Sequence, residues 1–224
     1  MPREKNIVKT NRAITACQRM ELLYPDPECQ LDNTNAFTLV ISVLLSAQTT
    51  DAAVNKVTPE LFRRWPTPYA MAEADPGEVG KIIRSIGFWK TKAARVVEAA
   101  KMIVSDFGGE VPHTMEELTR LPGVGRKTAN IVLNDIFDIV EGVAVDTHVF
   151  RICTRLKITN KKTPLEAEQD ILKLVPQEHW KAMNHQFVLF GREWCDAKKP
   201  RCSACPLYDI CPSAEKLLMS GKAV

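Results

Sequence analysis

Lys127, Asp146 and the four cysteines Cys195, Cys202, Cys205 and Cys211 are the residues of this 224-residue chain whose types and spacing point to chemistry. Lys127 stands in LPGVGRKTAN (121–130), where a turn of Pro122, Gly123, Val124 and Gly125 gives way to a helix. A helix start carries partial positive charge, so a lysine there, with Arg126 beside it, is disfavoured as an ammonium. The neutral amine favoured instead is a nucleophile suited to Schiff-base formation. On a helical wheel Ala129, Val132, Leu133, Ile136 and Phe137 form one face, and Lys127 lies roughly 150° from it, with Ile131 on its own side. A solvated surface lysine is the plain alternative. The same turn offers main-chain N–H groups to an anion, flanked by Arg120, Arg126 and Lys127, with no acid between Leu118 and Asn134. A nucleic-acid phosphate is the natural guest, unless the glycines serve only to turn the chain.

Asp146, in VAVDTHVFRI (143–152), precedes a periodic helix and is suited to cap it. A carboxylate there can also deprotonate a neighbour or stabilise a developing cation, and the two roles can coexist. His148 reads as a packed or hydrogen-bonded histidine. The cysteines follow C-x6-C-x2-C-x5-C within 17 residues, a four-thiolate site that suits zinc and an iron–sulfur cluster alike. Arg192, Lys198, Lys199 and Arg201 in or beside that loop present positive charge to solvent or to a ligand. KIIRSIGFWKTKAAR (81–95) holds five basic residues and no acid around Gly87-Phe88-Trp89. Such a stretch suits nucleic acid, where rings stack on or wedge between bases, or else the two aromatics pack into the core. Gln48, in LLSAQTTD, falls in an inter-helix turn, where its amide caps backbone or fills the space of a displaced base.

The elements that must position these residues read as helices. Asp75-Pro76-Gly77-Glu78, Thr114-Met115-Glu116-Glu117 and Thr163-Pro164-Leu165-Glu166 are helix starts with a capping residue and a glutamate three places on. Val149, Ile152, Cys153 and Leu156 keep helical spacing, and Phe37 to Ala47, apolar on nearly every side, predicts a central buried helix. No strand alternation or repeat appears, so the expectation is an all-α chain of roughly nine to eleven helices, in one domain or two small ones. Apolar residues make up 45% of the chain, enough for a core, and a net charge of +3 does not by itself announce a nucleic-acid binder. The longest apolar run is too short for a membrane span, and the N-terminus lacks a signal peptide's apolar stretch. These features place the chain in a reducing compartment, where seven cysteines are ligands or buried thiols rather than disulfides.

Together LLSAQTTD, SIGFWKTKA, LPGVGRKTAN, VAVDTHVFR and the cysteine spacing resemble the endonuclease III family of DNA glycosylases, in the helix-hairpin-helix superfamily. The motifs stand in family order from about Ala36 to Cys211. The resemblance implies two helical lobes with the active site in the cleft between them. Residues 29–140 would form a six-helix barrel containing the hairpin, and residues 1–28 with 141–224 a discontinuous cluster lobe. It implies a monomeric, cytoplasmic enzyme, nucleoid-associated if prokaryotic, that removes oxidised pyrimidines from damaged double-stranded DNA and cleaves the abasic site. Lys127 is then the nucleophile, Asp146 the assisting aspartate, and Cys195, Cys202, Cys205 and Cys211 the ligands of a [4Fe–4S] cluster. Gly123, Val124, Gly125 and Arg126 grip a backbone phosphate. Gln48 enters the gap left by the flipped base, Phe88 is the wedge, and His148, Lys198 and Arg201 complete the DNA-facing set. Phe88 stands where leucine is common in the family, a stiffer ring that bears on which lesion or opposite base is tolerated. Two alternatives differ in chemistry. A mismatch-specific glycosylase of the adenine or thymine type usually lacks the lysine, and the adenine type carries a further C-terminal domain, whereas this sequence runs 13 residues past Cys211. A DNA-binding module with structural zinc would be colourless where a cluster is brown.

Overall fold

The computed structural model describes residues 6–224, which contain α-helices, short 3-10 turns and, among the described residues, no strand. The helices are α1 (Asn6–Leu23), α2 (Ala36–Leu45), α3 (Asp51–Arg64), α4 (Pro68–Ala72), α5 (Pro76–Ile82), α6 (Trp89–Phe107), α7 (Met115–Arg120), α8 (Arg126–Ile136), α9 (Thr147–Arg155), α10 (Pro164–Leu174), α11 (Trp180–Glu193) and α12 (Ala214–Met219). These twelve exceed the nine to eleven expected because α4, α7 and α12 have only five or six residues each, too short for apolar periodicity to register. The first five residues of the N-terminal stretch read for a signal peptide lie outside the described residues. No helix among the described residues is long and apolar enough to cross a membrane. The chain divides into two units, Cys29–Ile139 and Met1–Glu28 with Val140–Val224.

The unit Cys29–Ile139 is built on α2, which is buried from Phe37 to Leu45 and packs against α3, α6 and α8. Leu39, Val40, Ile41 and Leu45 lose all solvent exposure, each worth about 1.5–3 kcal/mol. Helix α2 starts on a reciprocal cap that the sequence reading passed over. The Asn35 side chain accepts from the Thr38 N–H, and the Thr38 hydroxyl accepts from the Asn35 N–H. The expected caps at Asp75 and Thr114 hold α5 and α7. Helices α4 and α5 lie on α6, and α7 lies on α8 across the Pro122–Gly125 turn.

The second unit joins α1 to the chain beyond residue 139. Helix α11 carries Phe187 and Phe190 into a core shared with Met20, Val149, Ile152, Cys153 and Ile171, all at most 1% exposed. The predicted apolar face of α9 is therefore buried. Arg12 of α1 donates to the Leu156 carbonyl at 2.9 Å, and Asn184 of α11 donates to the Ala144 carbonyl at 2.6 Å. The second bond anchors the buried segment Val143–Val145 that leads into Asp146.

The two hairpin glycines differ in what the fold asks of them. Gly123 has φ +85°, and a Cβ there would stand 3.0 Å from Arg95 Cδ and 3.2 Å from Leu44 Cδ1. Gly125 has φ −100°, and a Cβ there would meet nothing within 4 Å. Gly123→Ala is therefore expected to lower stability by about 1–3 kcal/mol, and Gly125→Ala to change it by less than about 0.5 kcal/mol, measured by urea denaturation. Equal losses in the two variants would contradict this account.

Candidate active site

Lys127 is the second residue of α8, whose N-cap is Gly125, and its side chain is exposed as the helical wheel predicts. Because a glycine cap has no side chain, none closes the first N–H groups of this helix. Val124 is buried and pins the turn from beneath, so the loop presents backbone on its outer side. Arg120 does not join Lys127 as an anion-ready charge. Its guanidinium pairs with Asp106 at 2.9 Å and lies over the Phe107 ring. Ile131, placed on the lysine's side of the wheel, is 6% exposed, because α8 is enclosed on both sides beyond its first turn, with Thr128 through Asn134 all buried.

Gln48 and Phe88 belong to the same unit as Lys127, and both side chains are exposed. Both also carry left-handed backbone, φ 54° at Gln48 and φ 57° at Phe88, a conformation that costs a non-glycine residue about 1 kcal/mol or more. The aromatic pair divides. Phe88 is 66% exposed, whereas Trp89 packs over Gly80, where a Cβ would be 2.8 Å from the indole. The ring free to stack or wedge is therefore Phe88 alone.

Asp146 caps α9 as expected, and the geometry divides its labour between two oxygens. Oδ1 accepts from both the His148 and Val149 N–H groups at 2.8 Å. The carboxylate is thus held rigidly by one oxygen, while the other takes no bond among the described residues and is available to a substrate. His148 is packed and hydrogen-bonded, sitting against Gly191, with its Nδ1 3.1 Å from Arg151 Nη2. A guanidinium has no acceptor, so Nδ1 receives this bond and Nε2 is the ring's donor.

Arginines at i and i+4 of α9 then hold the cysteine loop, a role the sequence reading did not assign. Arg151 donates to the carbonyls of Cys195 at 2.9 Å and Gly191 at 3.1 Å. Arg155 reaches Cys195 Sγ at 3.1 Å and the carbonyls of Cys195, Asp196 and Ala197 at 2.7–3.2 Å. The signal lay in VFRICTR, where the two arginines stand one turn apart, off the buried face of Val149, Ile152 and Cys153. Lys198 and Arg201 are exposed, and the turn bearing Lys198 is pinned by Asp196 Oδ1, which accepts the N–H groups of Lys198 and Lys199 at 2.8 Å each. Those N–H groups hold the Asp196 carboxyl below its ordinary range.

Whether the four thiols fit a cofactor is decided by their chemistry. Among the described residues no three Cys, His, Asp or Glu side chains converge as the ligands of a lone metal ion do. The four sulfurs are nonetheless grouped closely enough to repel one another as thiolates. Burial pushes the Cys205 thiol up to about 11, with further upward pressure from Cys195, Cys211 and Cys202, and burial with neighbouring cysteines raises Cys202 and Cys211 as well. The Leu207 N–H points at Cys205 Sγ (3.4 Å), N–H groups of Ser213 and Ala214 at Cys211, and the Arg155 guanidinium at Cys195 Sγ. Four closely grouped sulfurs that would repel one another as thiolates, three of them met by N–H donors, suit a large cationic iron–sulfur core. Cys17 and Cys153 are different. Both are buried in the apolar core beside Met20, Val149 and Phe187, and burial pushes Cys17 up to about 12 and raises Cys153.

Residues 41–177 match the family model of the HhH-GPD superfamily base excision DNA repair proteins, and residues 195–211 match the iron–sulfur binding domain of endonuclease III. The endonuclease III of Synechocystis is 45% identical over 207 residues, covering 92% of this chain and 94% of the relative. A non-covalent endonuclease III–DNA complex superposes with a TM-score of 0.87 at 40% identity, covering 92% of this chain and 96% of that one. A trapped endonuclease III–DNA covalent intermediate, an estranged-adenine complex, does so with a TM-score of 0.87 at 40% identity, covering 91% and 96%. An all-α chain with an uncapped hairpin helix, an aspartate-capped helix and a grouped four-cysteine loop, so matched along nine-tenths of its length, belongs to the endonuclease III family of base excision DNA repair proteins.

Proposed function

We propose that Lys127 performs the covalent chemistry, assisted by Asp146, in a chain whose activity is that of a DNA glycosylase and abasic-site lyase of base excision repair. The observation that carries the reading is the exposed lysine on the open first turn of α8. Its main-chain N–H groups and positive helix end receive the DNA phosphate through Gly123, Val124, Gly125 and Arg126. Phosphate held at that turn brings the amine to the sugar it must attack.

The substrates we read for this site are oxidised pyrimidines in duplex DNA, which pair and stack poorly and cost less to turn out of the helix. Phe88 wedges into the stack and Gln48 fills the vacated space, while Lys198, Arg201 and His148 complete the DNA-facing set. The Lys127 amine attacks C1′ as the base leaves; the C1′–O4′ bond of the resulting aminal then breaks, an amine proton passing to O4′, and the ring-opened protonated imine remains. Removal of a C2′ proton then breaks the 3′ C–O bond by β-elimination. The Asp146 oxygen not bound in the cap is suited to take a proton and to stabilise positive charge on the sugar. Cys195, Cys202, Cys205 and Cys211 would hold the [4Fe–4S] cluster, which would offset part of their thiolate charge and staple the loop. We read Cys29–Ile139 as the barrel lobe and the remaining unit as the cluster lobe, acting as a monomer in the cytoplasm on nucleoid DNA.

Lys127→Gln is expected to abolish borohydride trapping on damaged duplex while preserving the visible absorbance of the cluster, and undiminished trapping would remove Lys127 from the role. Asp146→Asn keeps a good capping residue, so its melting temperature should hold while base removal slows about 10²–10⁴-fold with DNA still bound. Full turnover in that variant would leave Asp146 a cap alone. Gly125→Ala, neutral for folding, should weaken binding to an undamaged duplex about tenfold, because its methyl group occupies the side from which the phosphate approaches. Unchanged affinity would place the phosphate elsewhere.

A further inference from the structure

Lys92 lies one turn inside α6 and is only 4% exposed. It falls on the buried stripe of that helix, in line with Val96, Ala99 and Ile103, where an apolar side chain would pack without desolvating a charge. Its Nζ donates to Thr49 Oγ1 at 2.7 Å, and this is its one hydrogen bond among the described residues, so the ammonium keeps donors that no partner takes. Burial lowers its pKa, the expected sign for a cation out of water. A residue this unfavourable for folding calls for another use.

Its surroundings supply one. Thr49 follows Gln48, whose left-handed backbone is strained, and Lys92 follows Phe88, strained in the same way, by a single helical turn. The two turns touch, since a Cβ on Gly87 would stand 3.9 Å from the Gln48 carbonyl oxygen. Strain of this kind persists only where the surroundings over-determine it. The Thr49 N–H is fixed to the Ser46 carbonyl at 3.0 Å, and its hydroxyl is fixed by Lys92. We infer that Lys92 is a positioning residue that clips the Gln48 turn to the Phe88 turn, so that amide and ring enter the duplex together. The inference rests on the reading of Gln48 and Phe88 as the residues that probe DNA.

The test uses the holoprotein with Lys127→Gln, which removes chemistry, and a duplex carrying 2-aminopurine opposite dihydrouracil, whose fluorescence rises when the stack opens. Lys92→Met keeps length and apolar fit but removes the donor, Thr49→Val removes the acceptor, and Thr49→Ser retains it. The rise is expected to slow about tenfold with Lys92→Met and with Thr49→Val, no further with both together, and to return to the parental rate with Thr49→Ser. Affinity for undamaged duplex and the melting temperature should not follow this pattern, whereas a merely structural lysine would move the melting temperature and leave the rate alone. Parental rates in both Lys92→Met and Thr49→Val would overturn the clip. No rise even in the parent would overturn the reading of Gln48 and Phe88 and the clip with it.

Discussion

The first N–H groups of any helix have no partner within it, and this chain handles that constraint in two ways. In the unit Cys29–Ile139, a side chain closes the start of each helix that only supports the structure. Asn35, Thr50, Thr67, Asp75 and Thr114 cap α2, α3, α4, α5 and α7 in the unit Cys29–Ile139. The exceptions in that unit are α6 and α8, where Phe88 and Gly125 stand at the cap and no side chain accepts. These are the helices whose starts carry the proposed wedge and the proposed nucleophile. An open helix end costs folding energy and offers an anion site, and both open ends here are followed within a turn by lysine. At α8 Lys127 is exposed and available to substrate; at α6 Lys90 is exposed while Lys92 is buried and engaged with the neighbouring turn.

Helix α9 joins the two strategies. Asp146 closes its start with one oxygen and keeps the other available, and the same helix holds the cysteine loop through Arg151 and Arg155. The bonds from Arg151 run to the His148 ring on one side and the Cys195 carbonyl on the other. The aspartate and the cysteine loop are therefore set by one rigid element, which is anchored in turn by its buried face of Val149, Ile152 and Cys153. Charge, capping and packing act here on the same nine residues.

Much of this is legible in the sequence. Apolar spacing announced the buried faces of α2 and α9, and Thr-Pro and Asp-Pro starts announced caps, because those signals depend on residues a few places apart. The hairpin was legible for the same reason, as two glycines between two helical patterns. What stayed hidden was tertiary. The burial of Ile131, Asn130 and Asn134 follows from α8 being enclosed on a second side, which no wheel records. The engagement of Arg120 by Asp106 crosses from one helix to another, so the run of basic residues overstated the charge available at the hairpin. Lys92 gave a partial signal, a lysine on an apolar stripe, but its partner Thr49 lies 43 residues away. The grouping of the cysteines was plain from spacing, while the choice of an iron–sulfur cluster came from the family.

The central claim is that the amine on the open turn of α8 becomes covalently bound to DNA. The most direct measurement is to reduce the protein with borohydride on a duplex bearing an abasic site, digest the adduct and locate the modified peptide by mass spectrometry. The account predicts the sugar remnant on Lys127. A remnant on Lys92, on Lys90 or on the N-terminal amine, with Lys127 unmodified, would contradict it.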